Sequence, residues 1–226
     1  MGCGSGRWAA FVAPRVARLH CVDASGRAIA VARQNLDLAE NCTFHCASFE
    51  TLPIAHGSMD FGYSLGVLHH VPDPLSALRE CISRLKPGAP FLLYIYYALE
   101  NRPGWFRRLW KATDICRRRI SALPAKRRQL LCDFIAASVY YPTSRFARVS
   151  ERIGINVAGF PLSTYRRHSF YVMRNDALDR FGTPLEKRMS AAEIETLMRA
   201  AGLTNIAFSD NSPYWCAVGY RAVAPA

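Results

Sequence analysis

Residues 59–74 read MDFGYSLGVLHHVPDP, and how they fold decides what surrounds them. Met59 to Gly66 mixes aromatic, apolar and small residues over the length of one strand, and Asp73-Pro74 follows. Aspartate before proline is a helix start. The carboxylate caps the free amides of the first turn, and proline has no amide to satisfy there. Leu75, Leu78, Ile82 and Leu85 then recur at helical spacing, and LKPG (85–88) stops the helix. PFLLYIYY (90–97) is an unbroken apolar run, the pattern of a strand buried on both faces. Strand, helix and strand in that order make a crossover unit, so the two strands run parallel.

The same rhythm extends upstream. RWAAFVAPRVARL (7–19) predicts a helix that Pro14 ends or kinks, and HCVD (20–23) a short strand ending in an acid. SGRAIAVARQNLDLAE (25–40) is helical, with Ile29, Ala32 and Leu36 on one face, and CTFHCA (42–47) is the next strand. After Leu99 the rhythm breaks. Pro103, Pro124 and Pro142 each stand where a helix begins, followed by Trp105, Leu109 and Ala112, by Leu130, Phe134 and Ala137, and by Phe146, Val149 and Ile153. The alternation resumes near residue 176. Ser190 and Glu193 form a capping box and Gly202 closes that helix. LTNIAFSD (203–210) and YWCAVGYRAV (214–223), joined by an Asn-Ser-Pro turn, predict an antiparallel final pair. The expected organisation is an α/β domain over 1–98 and 176–226, interrupted by a helical, basic cap over 99–175.

Charge supports that division. The 226-residue chain has a net charge of +12, yet Arg102 to Arg174 alone holds sixteen Lys or Arg against three acids, and the remainder is close to neutral. The eight cysteines form no CxxC pair. Cys42 and Cys46 flank His45 but alternate as in a strand, and no second ligand pair follows at zinc spacing, so reduced thiols and no metal are expected. The longest apolar run, Phe91–Leu99, is too short for a membrane-crossing helix. The N-terminus lacks a secretory pattern, and its MGC start lacks the Ser or Thr at position 6 that acylation wants. A cytoplasmic location is the expectation.

GCGSG (2–6) leaves almost no side chain between backbone and ligand, so a ligand can lie against the peptide planes. The spacing is G-x-G-x-G, and Arg7 stands where a dinucleotide fingerprint wants its third glycine. Asp23 ends its strand about seventeen residues after the loop, where a carboxylate can accept both hydroxyls of a ribose. With SFETLPI (48–54), the MDFGYSLGVLHHVPDP stretch and LRECISRLKPGA (78–89), the chain resembles the class I S-adenosylmethionine-dependent methyltransferases, in particular the group that includes the quinone-biosynthesis enzymes.

That resemblance implies a Rossmann-like, mostly parallel sheet with an antiparallel last strand, and a helical insertion after the fifth strand of the family pattern. It implies S-adenosylmethionine as cofactor, with Gly2, Cys3, Gly4 and Gly6 beneath its methionine part and Asp23 on its ribose. Ser48 and the Phe49 backbone would stand where the family commonly has an acid on the adenine amino group, and Ser64, Leu65 and Leu68 would line the cofactor. The family also has a hydrophobic strand ending in an acid ahead of the loop, in the middle of the sheet. Only Met1 stands there, so a gap of about two strand spacings of ~4.8 Å is expected, from a sheet that closes differently or from a chain that is a fragment or has a mis-set start. The missing acid also leaves the cofactor's amino group without its usual partner.

Methyl transfer needs an in-line nucleophile and exclusion of water, and at times a base. His69 and His70 follow the strand beside the expected methyl, where an imidazole can take an acceptor proton, and Tyr97 is the candidate to face the acceptor. Tyr165, Arg166, Arg167, His168 and Tyr171 are the candidates for acceptor binding. Their aromatic and basic content suits a small-molecule or lipid-like acceptor with an apolar body and an anionic group. Basic amphipathic helices also suit peripheral contact with an anionic membrane. No nucleic-acid recognition module is visible, and the basic insertion argues against aminopropyl transfer to a polyamine. The alternative is a degenerate, non-catalytic cofactor-binding or interaction domain, suggested by the missing strand and acid.

Overall fold

A computed structural model describes residues 1–100, 102–211 and 215–223. Two compact units result, the first from 1–100 with 187–226 and the second from 101–186.

In the first unit, α1 (Ala9–Val12) runs into a 3-10 turn at Pro14, as that proline requires. β1 (Leu19–Asp23) leads into α2 (Gly26–Asn35), capped by the Ser25 hydroxyl, and β2 (Cys42–Cys46) follows. β3 (Gly62–Leu65) precedes α3 (Pro74–Ser83), whose first turn is capped by Asp73 accepting from the amides of Leu75 and Ser76. β4 (Pro90–Tyr94) is shorter than the apolar run that predicted it. Ile95 to Tyr97 lie past its end, where Tyr97 makes an isolated bridge with Met189.

The sheet itself departs from the single one expected. β1 pairs in parallel with β2, while β3, β4, β6 (Cys216–Arg221) and β5 (Leu203–Phe208) form a second sheet in the order β3-β4-β6-β5. β3 and β4 are parallel, and β6 runs antiparallel to both β4 and β5. Among the described residues, β1 and β3 each lack a partner on one edge. A cavity of about 610 Å³ lies there, lined on one side by Leu19, His20 and Val22 and on the other by Gly62 and Tyr63. The first residues of the chain bridge its upper end: the Met1 ammonium donates to Tyr63 O at 2.8 Å and the Cys3 amide to Val22 O at 3.0 Å. Where the family pattern puts a central strand, this molecule has three residues of bridging backbone.

The main core lies on the larger sheet. Leu78, Leu85, Phe91, Leu93, Ile95, Ile194, Met198 and Leu203 are at most 1% exposed, from α3, β4, β5, α8 (Ala191–Ala200) and the residues just past α3 and β4. Each such side chain contributes about 1.5–3 kcal/mol when fully buried. α8 opens with the predicted capping box between Ser190 and Glu193. Asn211 is described, but the turn predicted at Asn-Ser-Pro falls otherwise on residues 212–213, outside the described ones.

The second unit is helical: α4 (Gly104–Ser121), α5 (Ala125–Ile135), α6 (Tyr141–Arg152) and α7 (Phe170–Gly182), with a π-helical stretch over Ala136–Tyr140. The first three begin at or beside Pro103, Pro124 and Pro142. Return to the first unit comes at Lys187 rather than near 176, because Met173, Ala177 and Phe181 of α7 complete a core with Cys132 and Ala136. Buried Arg117 donates to Asp114 at 2.6 Å and to the carbonyls of Thr183 and Pro184 at 2.9 Å. Burial alone would push Asp114 up, but the hydrogen bonds from Arg117 and Arg118 hold it below the usual carboxylate range.

Candidate active site

The glycine loop sits at the carboxyl end of β1. Gly2, Gly4 and Gly6 all have left-handed backbone, at φ 68°, 52° and 81°. At Gly2 the need is spatial as well: a Cβ there would stand 2.2 Å from Val67 Cγ2, so only glycine lets the loop pass over the turn after β3. At Gly4 a Cβ would meet nothing within 4 Å, and the space over that peptide is open.

The loop and Asp23 are joined by a hydrogen bond. The Gly4 amide donates to Asp23 Oδ2 at 2.9 Å, and the Ser25 amide donates to Oδ1 at 2.9 Å. A carboxylate offers about four lone-pair positions, so two remain for a pair of hydroxyls. These residues fit a nucleoside with a ribose diol: an oriented acceptor, a backbone-lined ledge beside it, and open space above Gly4. In S-adenosylmethionine the same set would hold the ribose at Asp23 and the methionine part along Gly2–Gly6, with Cys3 contributing its backbone.

The other expected cofactor contacts divide. Ser48 donates its hydroxyl to Glu50 Oε2 at 2.5 Å and its amide to Thr51 Oγ1 at 3.3 Å, which leaves acceptor capacity on Oγ. Phe49 is half-buried against the main core, and Leu65 is half-buried at the end of β3. Ser64 and Leu68 are fully buried, so neither presents its side chain to an open cleft. The Ser64 hydroxyl has no hydrogen-bond partner among the described residues.

Leu68–His70 form one 3-10 turn after β3, and it separates the two histidines. His69 is fully buried and stacks on Tyr96, ring centroids 3.8 Å apart. His70 is half-exposed, 4.0 Å from the His69 ring and edge-on to Tyr96 at 6.1 Å. Of the two, His70 is the one a solvent-side acceptor can reach. Tyr97 is half-buried, and its carbonyl accepts from Arg188 at 3.3 Å.

Arg188 was not visible as a site residue in the sequence. Its guanidinium lies 5.1 Å from the Tyr96 ring centroid, within cation–π range. It gets there because Lys187 to Met189 run alongside two segments: Lys187 N donates to His69 O, and Met189 N to Tyr96 O. Only backbone pairing between segments distant in sequence puts it there, and no local pattern records such pairing.

The five candidates for acceptor binding lie in the second unit. Arg166 and Arg167 both pair with Glu151, at 2.9 and 3.2 Å, and so tie the turn over Ser163–Arg167 to α6. Tyr165 packs against Tyr140 at 5.3 Å, and burial followed by the Asp176 carboxylate raises its hydroxyl above the usual tyrosine value. His168 Nδ1 lies 2.9 Å from Thr164 O, and Tyr171 is 70% exposed. Much of the charge expected to meet an anionic acceptor is thus engaged within the unit.

A family model described as "Methyltransferase domain" matches residues 1–93. Among curated proteins, the ubiquinone biosynthesis O-methyltransferase of Xanthomonas campestris pv. campestris (strain B100) is 28% identical over 173 residues, 69% of this chain and 71% of that protein. Its counterpart from Idiomarina loihiensis is 33% identical over 104 residues, 45% of this chain and 41% of that protein. Among solved structures, a SAM-dependent methyltransferase from Methanosarcina mazei superposes with a TM-score of 0.56 at 14% identity, over 98% of this chain and 90% of that one.

Proposed function

We infer that the chain is a class I S-adenosylmethionine-dependent methyltransferase acting on a small molecule, as the match to the methyltransferase domain and the similarity to the curated relatives support. We propose that this small molecule is a lipid or quinone-like ring whose hydroxyl is methylated. The curated relatives carry O-methylation in ubiquinone biosynthesis in their names, and the first of them is matched over most of its length.

When bound, S-adenosylmethionine supplies an electrophilic sulfonium methyl group. The chain's own part is positioning and proton handling. Asp23 and the Gly2–Gly6 ledge orient the nucleoside. His70, half-exposed beside Tyr96, takes the proton of the acceptor hydroxyl on an imidazole nitrogen as that oxygen becomes a nucleophile. His69 and Tyr96 stack behind it and fix its ring, and Tyr96 with Arg188 offers a flat, polarised surface for an acceptor ring. Basic residues of the second unit, Arg127, Arg148 and Arg152, accompany the exposed apolar side chains of Leu130, Phe134, Phe146 and Ile153, a composition suited to an anionic bilayer that would hold such an acceptor.

The observation that carries the cofactor site is the hydrogen bond from the Gly4 amide to Asp23. Titration calorimetry with S-adenosylhomocysteine tests it. Asp23→Ala should weaken binding at least 30-fold, the loss of about 2 kcal/mol from charged hydrogen bonds. His70→Ala should bind normally and slow transfer about 10²-fold. Equal loss of binding in both variants refutes the division of roles. The split sheet favours a second reading, a non-catalytic domain, because the glycine loop sits directly above the unfilled edges. Absence of heat with the chain and also with a version extended ahead of Met1 by a short apolar strand would establish that second reading.

A further inference from the structure

We propose that Cys3 and Cys21 form an oxidisable dithiol site, in which a peroxide converts the pair to a disulfide that clamps the glycine loop onto β1. Nothing in methyl transfer requires thiols here, yet three converge. Cys3, Cys21 and Cys42 belong to one small apolar cluster with Leu19 and Leu36. Cys3 lies between Gly2 and Gly4, and its amide donates to Val22 O at 3.0 Å, which sets the loop beside the strand that carries Cys21.

Geometry chooses between the two bridges that Cys21 could make. In the β1–β2 register Cys42 stands opposite Leu19, two positions from Cys21. A rise of ~3.3 Å per residue and a strand spacing of ~4.8 Å put those α-carbons about 8 Å apart. Both are held in a hydrogen-bonded ladder, and a disulfide spans at most about 7 Å. Cys3 is on an irregular, glycine-flanked loop that adjusts at little cost, and it packs against the cluster to which Cys21 belongs.

Roles follow from environment. The neighbouring Cys21 thiol outweighs burial and the Asp23 carboxylate and lowers the Cys3 thiol, with the Met1 ammonium adding to the effect. Cys21 is raised by the neighbouring Cys3 thiol and by burial, and it is 2% exposed. Cys3, half-exposed, is therefore the attacking thiolate and Cys21 the resolving thiol. In the first step Cys3 Sγ takes one peroxide oxygen, the O–O bond breaks, and hydroxide leaves with the electron pair. In the second, Cys21 Sγ attacks the sulfenic sulfur of Cys3, the S–O bond breaks, and the Cys21 proton goes to the departing oxygen as water. Two thiols and one hydrogen peroxide give one disulfide and two waters. The consequence for cofactor binding rests on the Gly2–Gly6 ledge being the cofactor's cradle, whereas the cross-link itself does not.

Peptide mass spectrometry without reductant, after treatment of the full chain with hydrogen peroxide, decides the site. A Cys3–Cys21 linked peptide is expected, absent from Cys21→Ser and retained in Cys42→Ser. In the oxidised wild-type chain, affinity for S-adenosylhomocysteine should fall at least tenfold and recover with dithiothreitol, a reversal that misfolding would not give. A Cys21–Cys42 peptide, oxidation of Cys3 to sulfinic acid without a bridge, or a bridge that leaves affinity unchanged would each overturn the proposal. Failure of the reduced chain to bind S-adenosylhomocysteine would instead strike the cofactor reading, with the linked peptide still deciding the thiol pair.

Discussion

The two units hold themselves together by different means. In the first, fully buried aliphatic side chains from helices and strands close on one sheet, and charged residues stay at the rim. In the second, the buried cluster is small, and a guanidinium network reaches inside: Arg117 is 5% exposed while gripping Asp114 and two carbonyls, and Arg180 stacks 4.2 Å over Trp110 and faces Glu186. The same unit leaves Leu130, Phe146 and Ile153 more than 60% exposed. The difference is one of economy of apolar surface. A sheet with helices against it has two large faces to fill, whereas four helices of this basic composition bury little and rely on paired charge.

Substitutions can break that contrast. The largest expected effect is Arg117→Ala, which leaves Asp114 and the carbonyls of Thr183 and Pro184 short of a donor in a nearly closed setting. It should cost about 3 kcal/mol in urea unfolding, with loss of hydrogen-exchange protection confined to peptides from 101–186. Protection lost equally from α3 and α8 would show that the units do not differ in this way. In the first unit, Gly2→Ala should cost about 2 kcal/mol because a left-handed backbone and a collision with Val67 combine, and Gly4→Ala about 1 kcal/mol because only the backbone conformation opposes it. Thermal unfolding that ranks Gly4→Ala as the worse would contradict the packing described at the loop. The smallest effect concerns the exposed apolar side chains. Replacing Phe134 and Phe146 together by Glu should weaken association with vesicles of anionic lipid about tenfold in a flotation assay, and equal flotation would remove the membrane from the proposed function.

Much of the first unit was legible because its signals are local. Asp73 and Pro74, Ser190 and Glu193, and the apolar stripe from Leu75 to Leu85 each act within one or two turns, and all produced the elements expected of them. The nearness of the glycine loop to Asp23 also followed, because both lie at strand ends in a crossover fold. Three things were not legible. The extent of the insertion depended on Met173, Ala177 and Phe181 finding partners on α5, which helical spacing alone cannot assign. The pairing of Arg166 and Arg167 with Glu151 joins residues from separate segments, which neither segment's spacing records. The split between β1 and β3 was anticipated as a gap but not as two separate ladders.

What the amino-acid order determined by itself is the set of elements and the kind of chemistry the loop and Asp23 can do, since caps, periodicity and glycine torsions are properties of a few adjacent residues. What only the tertiary structure decided is which histidine faces outward and where Arg188 sits. Those outcomes depend on backbone segments separated in sequence lying side by side, and a hydrogen bond between distant segments leaves no trace in the spacing of either.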